Sequence, residues 1–72
     1  MSRAVIEELR RVREQLVEID ARCTERRALI QRLKVERADT SVALTRLRQE
    51  ERERADLCDH LLVLEGRLDQ RP

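Results

Sequence analysis

Asp20, Thr24, Arg27 and Gln31 follow one another at spacings of four, three and four in the stretch "DARCTERRALIQ". On a helix, that spacing holds four polar side chains along one face. Their types suit a guanine nucleotide. An arginine fork pairs with guanine O6 and N7, or bidentately with a phosphate. A carboxylate accepts from the guanine N1–H and amino group, while a hydroxyl and an amide reach phosphate, sugar or base edges. The chain has no Phe, Tyr or Trp, so only guanidinium planes are left to stack on a base. The competing reading is a solvated helix edge whose charges form ordinary i,i+4 pairs.

These residues have to be positioned by a long helix, and a single heptad frame runs from Leu9 to Leu68. One core series reads Leu9, Leu16, Cys23, Ile30, Arg37, Leu44, Glu51, Cys58, Glu65. The other reads Val12, Ile19, Arg26, Leu33, Thr40, Leu47, Arg54, Leu61, Leu68. Most of these positions are apolar or Cys, and no stretch alternates long enough for a strand, so the chain is predicted to be all-α. Each residue of the Asp20–Gln31 stripe follows a core position, so the stripe runs beside the seam.

The frame weakens at "RADTS", where Asp39, Thr40 and Ser41 are candidate N-caps. This predicts one helical domain over 1–72, with a helix over about 3–37, a soft turn at about 38–41 and a helix over about 42–70. The expected architecture is an antiparallel coiled coil or long helical hairpin, homodimeric. The alternative is one continuous helix in an antiparallel dimer. A fold-back about residue 40 matches Leu33 with Leu47, Ile19 with Leu61 and Val12 with Leu68. It also sets Arg26 beside Arg54, an arrangement that calls for something anionic between them, and brings Cys23 level with Cys58.

Composition agrees with this class. Charged residues make up 43% of 72 residues, with one internal Gly and a terminal Pro. Without aromatics a closed globular core is hard to build, and self-association or docking on a partner is the usual remedy. Net charge is +1, which gives no argument for direct DNA binding. Residues 1–37 carry ten basic and seven acidic side chains and residues 38–72 six and eight, a mild complementarity suited to two helices side by side. The longest apolar run, "LLVL", is too short to span a membrane, and no signal-peptide segment is visible. The expected compartment is the cytoplasm, with Cys23 and Cys58 reduced. His60 has no metal-ligand grouping around it and is read as a surface residue near the seam. No phosphate loop or nucleophile constellation is present, so the expectation is a protein without catalytic activity.

The stripe resembles the motif E-x3-S-x2-R-x3-Q-x3-D of the RsiG-type anti-sigma factors of actinobacteria. Arg27 and Gln31 are identical to it, Asp20 and Thr24 are conservative, and Val35 stands where the last Asp is expected, with Glu36 adjacent. A poorer second copy falls at Ser41, Thr45, Arg48, Arg52 and Asp56, where Arg48 and Asp56 match. The two stretches would lie roughly side by side in the hairpin. That resemblance implies binding of cyclic di-GMP on an antiparallel coiled coil, and sequestration of a WhiG-like sigma factor. Its short, single-motif branch implies a homodimer. The implied ligand contacts are Asp20, Thr24, Arg27, Gln31 and Arg48, with Thr45, Arg52 and Asp56 as weaker candidates. The alternative is a structural coiled-coil dimerisation or interaction module without ligand. A lesser one starts from "VREQLVEID", Val12 to Asp20, which looks like the first helix of AroQ-class chorismate mutases; the Leu-Leu-x-x-Arg continuation is absent.

Overall fold

The computed structural model describes residues 3–69. It is a hairpin of two helices, α1 Arg3–Val35 and α2 Ser41–Asp69, joined by residues 36–40. The rod measures 59 × 14 × 13 Å. The expected helical hairpin is thus present, with its turn one to two residues earlier than predicted. The expected end of α2 near residue 70 lies outside the described residues.

α1 ends without glycine. The Ala38 N–H donates to the Leu33 carbonyl at 2.8 Å and the Arg37 N–H to the Lys34 carbonyl at 3.1 Å. These are the two bonds of a Schellman cap, which requires a left-handed residue between them. Arg37 fills that position, with φ 56°. The break looks soft in sequence because an arginine occupies a place where glycine is usual. Arg32 and Lys34 in the last turn complement the carbonyl end of the helix dipole.

α2 is started by its own residues. The Thr40 carbonyl accepts the first helical bond, from the Leu44 N–H at 2.9 Å. Asp39 Oδ1 accepts from the Ser41 N–H at 2.9 Å, placing an anion at the positive helix end. That bond holds the Asp39 carboxyl below its ordinary pKa of 3.8.

The buried face of α1 follows the heptad frame: Leu9, Val12, Ile19, Cys23 and Ile30. In α2 one core series is displaced by a residue. Ala43, Glu50 and Leu64 are buried, Leu57 is half-buried, and Glu51 is exposed, while Leu44, Cys58 and Glu65 are only partly covered. The cause is the break at 36–40, which frees α2 to choose its own phase. Turning Leu57 and Leu64 inward, in place of Cys58 and Glu65, is worth roughly 1.5–3 kcal/mol per leucine fully buried. The main apolar cluster results from this choice: Leu9, Val12 and Leu64, with Val5, Leu16, Leu57, Leu61 and Leu68 packed around them.

Two predictions follow from the turn. Arg37→Gly should raise stability in urea by about 0.5–1 kcal/mol, because it removes a left-handed penalty of about 1–2 kcal/mol and adds about 0.5–1 kcal/mol of glycine entropy cost. Lower stability would show that Arg37 carries no such penalty. The Asp39 bond also has a pH signature. Its carboxyl is depressed in the fold, so its contribution is present above the unfolded pKa and fades as pH falls through the folded one. Asp39→Ala should remove that part of the acid dependence in a pH-resolved melting series, whereas superimposable profiles would rule it out.

Candidate functional site

Asp20, Thr24, Arg27 and Gln31 all lie exposed along one face of α1. Two of them already reach α2. Arg27 Nη2 is 3.6 Å from Glu51 Oε2, and Arg54 Nε donates to Asp20 Oδ1. The Thr24 hydroxyl donates to the Asp20 backbone carbonyl at 3.0 Å. Gln31 borders a shallow apolar hollow with Val35 near the turn. Both ion pairs are about half exposed, a setting in which such pairs contribute about 1 kcal/mol or less. A ligand that offers its own phosphates or base edges competes against weak contacts there.

The second motif copy is scattered by the register of α2. The Arg27–Glu51 pair fixes which side of α2 faces the stripe, and Arg48, one turn before Glu51, projects on that side. Among the described residues Arg48 enters no salt bridge. Ser41 opens the helix, and the Thr45 hydroxyl is occupied by the Ser41 carbonyl at 2.9 Å. Arg52 is exposed, four residues from Arg48 and one step further around the helix. Asp56 turns to the opposite side. The two stretches lie side by side along the rod, joined by the Asp20–Arg54 and Arg27–Glu51 pairs, but the register of α2 turns Asp56 away from the stripe and leaves Arg48 on its side. The fifth motif position fails as well, because Val35 is 84% exposed with no polar atom and Glu36 falls in the turn.

Asp56 lines a groove of about 370 Å³ between the helices, together with Glu18, Glu53, Arg22 and a floor of Ile19 and Leu57. Three carboxylates against one arginine make this groove unsuited to a nucleotide. Sequence reading did not find this groove, because its walls come from both helices and depend on the α2 register.

The expected confrontation of Arg26 with Arg54 does not occur. The turn sits earlier than residue 40, so Arg26 Nε donates to Glu50 Oε1 at 3.0 Å and Arg54 to Asp20. Each seam arginine thus meets a carboxylate of the opposite helix, and no external anion is needed between them. Asp20 holds the Arg54 guanidinium more firmly protonated. Glu50 is 8% exposed, yet among the described residues no buried side-chain polar atom lacks a hydrogen bond. Cys23 lies in this layer. Burial pushes its thiol pKa up, with Arg27 pulling the other way, which makes it a poor nucleophile. Cys23 and Cys58 are both free thiols. His60 is exposed and bridges the seam, with Nε2 3.2 Å from Glu8 Oε1.

The Arg26–Glu50 pair generates a prediction. Glu50→Ala leaves Arg26 partly buried without its partner and should cost about 1–3 kcal/mol. Replacing both with Arg26→Met and Glu50→Leu should recover most of that loss or exceed the parent. Urea denaturation of the two single variants and the double variant measures the coupling, and strictly additive effects would mean that the pair has no energetic role.

No family model, curated protein or solved structure matches the chain.

Proposed function

We propose that this hairpin is a cyclic di-GMP-dependent anti-sigma factor, with the dinucleotide resting on the Asp20–Gln31 face. The observation that carries the reading is that Asp20, Thr24, Arg27 and Gln31 are all exposed on one face and Arg48 projects from α2 on the same side. Arg27 and Arg48 supply forks for guanine O6 and N7 or for phosphate. Asp20 accepts from the guanine N1–H and amino group, and Thr24 and Gln31 complete the polar edge. Binding exchanges Glu51 for the ligand at Arg27, two partners of like charge, so it needs no rearrangement of the core. The resemblance of the stripe supplies the partner, a WhiG-like sigma factor held on the coiled coil, and a cytoplasmic setting. Among the described residues no helix is long and apolar enough to cross a membrane.

A second reading rests on a specific observation. The Asp20–Arg54 and Arg27–Glu51 contacts give the stripe a role in holding the two helices together. On this reading the chain is a coiled-coil interaction module without a ligand.

Titration calorimetry with cyclic di-GMP separates the two. The first reading predicts saturable binding, weakened in Arg27→Ala by about 1–3 kcal/mol, or one to two decades in affinity, with helicity retained. Flat isotherms for the parent protein would leave the interaction module as the function.

A further inference from the structure

The net charge of +1 conceals a separation of charge along the rod. The Asp20–Arg54 pair crosses the helices near mid-length. Between that pair and the turn, residues 21–53 carry nine basic and six acidic side chains. The remaining residues, the pair included, carry seven basic and nine acidic. In the turn half Arg26 and Arg27 are paired, with Glu50 and Glu51. The other seven cations enter no salt bridge among the described residues. Four carboxylates are left to oppose them, Glu25, Glu36, Asp39 and Glu53, and Asp39 already accepts from the Ser41 N–H.

Part of this surplus is gathered on one side. Arg22, Arg26 and Arg32 surround a hollow of about 260 Å³ beside Leu29, with Glu25 as its one carboxylate. Arg22 also lines the groove that Glu53 walls from α2, so hollow and groove open on the same side. Arg46 is two turns before Glu53 and shares that side of α2. Arg22, Arg32 and Arg46 are exposed. Arg26 spends its Nε on Glu50 and keeps its two terminal nitrogens.

We propose that the turn half of the rod docks on the phosphate backbone of a duplex nucleic acid through Arg22, Arg32 and Arg46, with the acidic half directed away. The inference rests on the hairpin alone: none of these three arginines belongs to the Asp20–Gln31 stripe. Three features select the occupant. The first is the donor set, which consists of guanidinium forks that hold phosphates bidentately. The second is wetness. An acidic protein would need an apolar centre to exclude water from its charge pairs, and Leu29 is the hollow's sole apolar residue. Phosphate contacts are made in solvent and gain from counterion release. The third is the absence of Phe, Tyr and Trp. Single strands are held by bases stacked on such rings, so a duplex, read by its backbone, fits this chain better. Arg22 and Arg32 are about 15 Å apart along the helix axis. A duplex carries one charge per about 1.7 Å of its own axis, so that span faces several phosphates.

Fluorescence anisotropy of labelled 24-base-pair DNA and RNA duplexes, titrated with the intact chain at about 20 to 150 mM salt, tests this. Saturable binding to at least one duplex is expected, with log affinity falling against log salt at a slope of about −3. Arg22→Gln, Arg32→Gln and Arg46→Gln together should weaken binding at least tenfold and flatten the slope. The same three positions changed to Lys should keep the slope. Arg3→Gln, Arg11→Gln and Arg67→Gln remove as much charge from the other half and should change affinity less than threefold. Glu25→Gln should strengthen binding. Gln is a good helix former, and circular dichroism checks that helicity is kept. The proposal is overturned if neither duplex binds, if the two triple Gln variants weaken binding equally, or if Glu25→Gln weakens it. It is equally overturned if a single strand of the same length binds more tightly, or if polyglutamate of equal charge competes as well as unlabelled duplex, which would make an acidic protein surface the occupant.

Discussion

The structure depends on the phase in which α2 meets α1. A helix with Leu47, Leu57, Leu61, Leu64 and Leu68 on offer buries most apolar area only if Leu57 and Leu64 both face inward. That phase carries Glu50 into the seam, where it is 8% exposed. A carboxylate there is tolerable only with a partner, and Arg26 is the partner, at 3.0 Å. The residue that looked like a fault in the heptad of α1 is therefore what allows the apolar phase of α2. The same phase moves Glu51 and Glu65 to the rim, where they meet Arg27 and Arg13. The ion pairs at the rim are consequences of a choice made by leucines.

The periodicity of α1 is legible from residues 3 to 35, because no turn interrupts the phase and its five buried residues all belong to the heptad. The class of fold and the approximate place of the turn are legible for the same reason. The α2 register is not, since a frame extended through residues 36–40 assumes a phase that the turn resets. One residue of displacement was enough to misplace Leu44, Glu51, Cys58 and Glu65, while a turn placed at residue 40 set Arg26 against Arg54. The turn hides itself for a different reason. Arg37 takes a left-handed conformation that sequence rules associate with glycine, so the strongest local marker is missing. The Asp20–Gln31 stripe needed only the continuity of one helix and is placed as read. The second copy needed the α2 register, which leaves Arg48 on the stripe side and turns Asp56 to the other.

The two sides of the rod differ in what they can receive. The groove with Glu18, Glu53 and Asp56 around an apolar floor is unfavourable to anions, while further along the same side Arg22, Arg26 and Arg32 surround a second hollow with Glu25. The stripe side presents arginines whose partners are exposed glutamates and an aspartate. Exposed pairs of this kind are close to neutral in free energy, so they bias the surface without locking it. Such a face can hold the helices in register and still exchange partners when a better-matched anion arrives.

That exchange has a structural limit. Asp20 is shared: its carboxylate holds Arg54, and its backbone carbonyl accepts from Thr24. If Asp20 turns to a guanine edge, Arg54 loses its carboxylate and is left beside the seam. Arg27 has no such dependent, because Glu51 is an exposed rim residue that returns to water when released. The two ends of the stripe therefore differ in cost. Both exchanges disturb half-exposed pairs, but the one at Asp20 frees an arginine that the heptad places beside the Arg26–Glu50 layer.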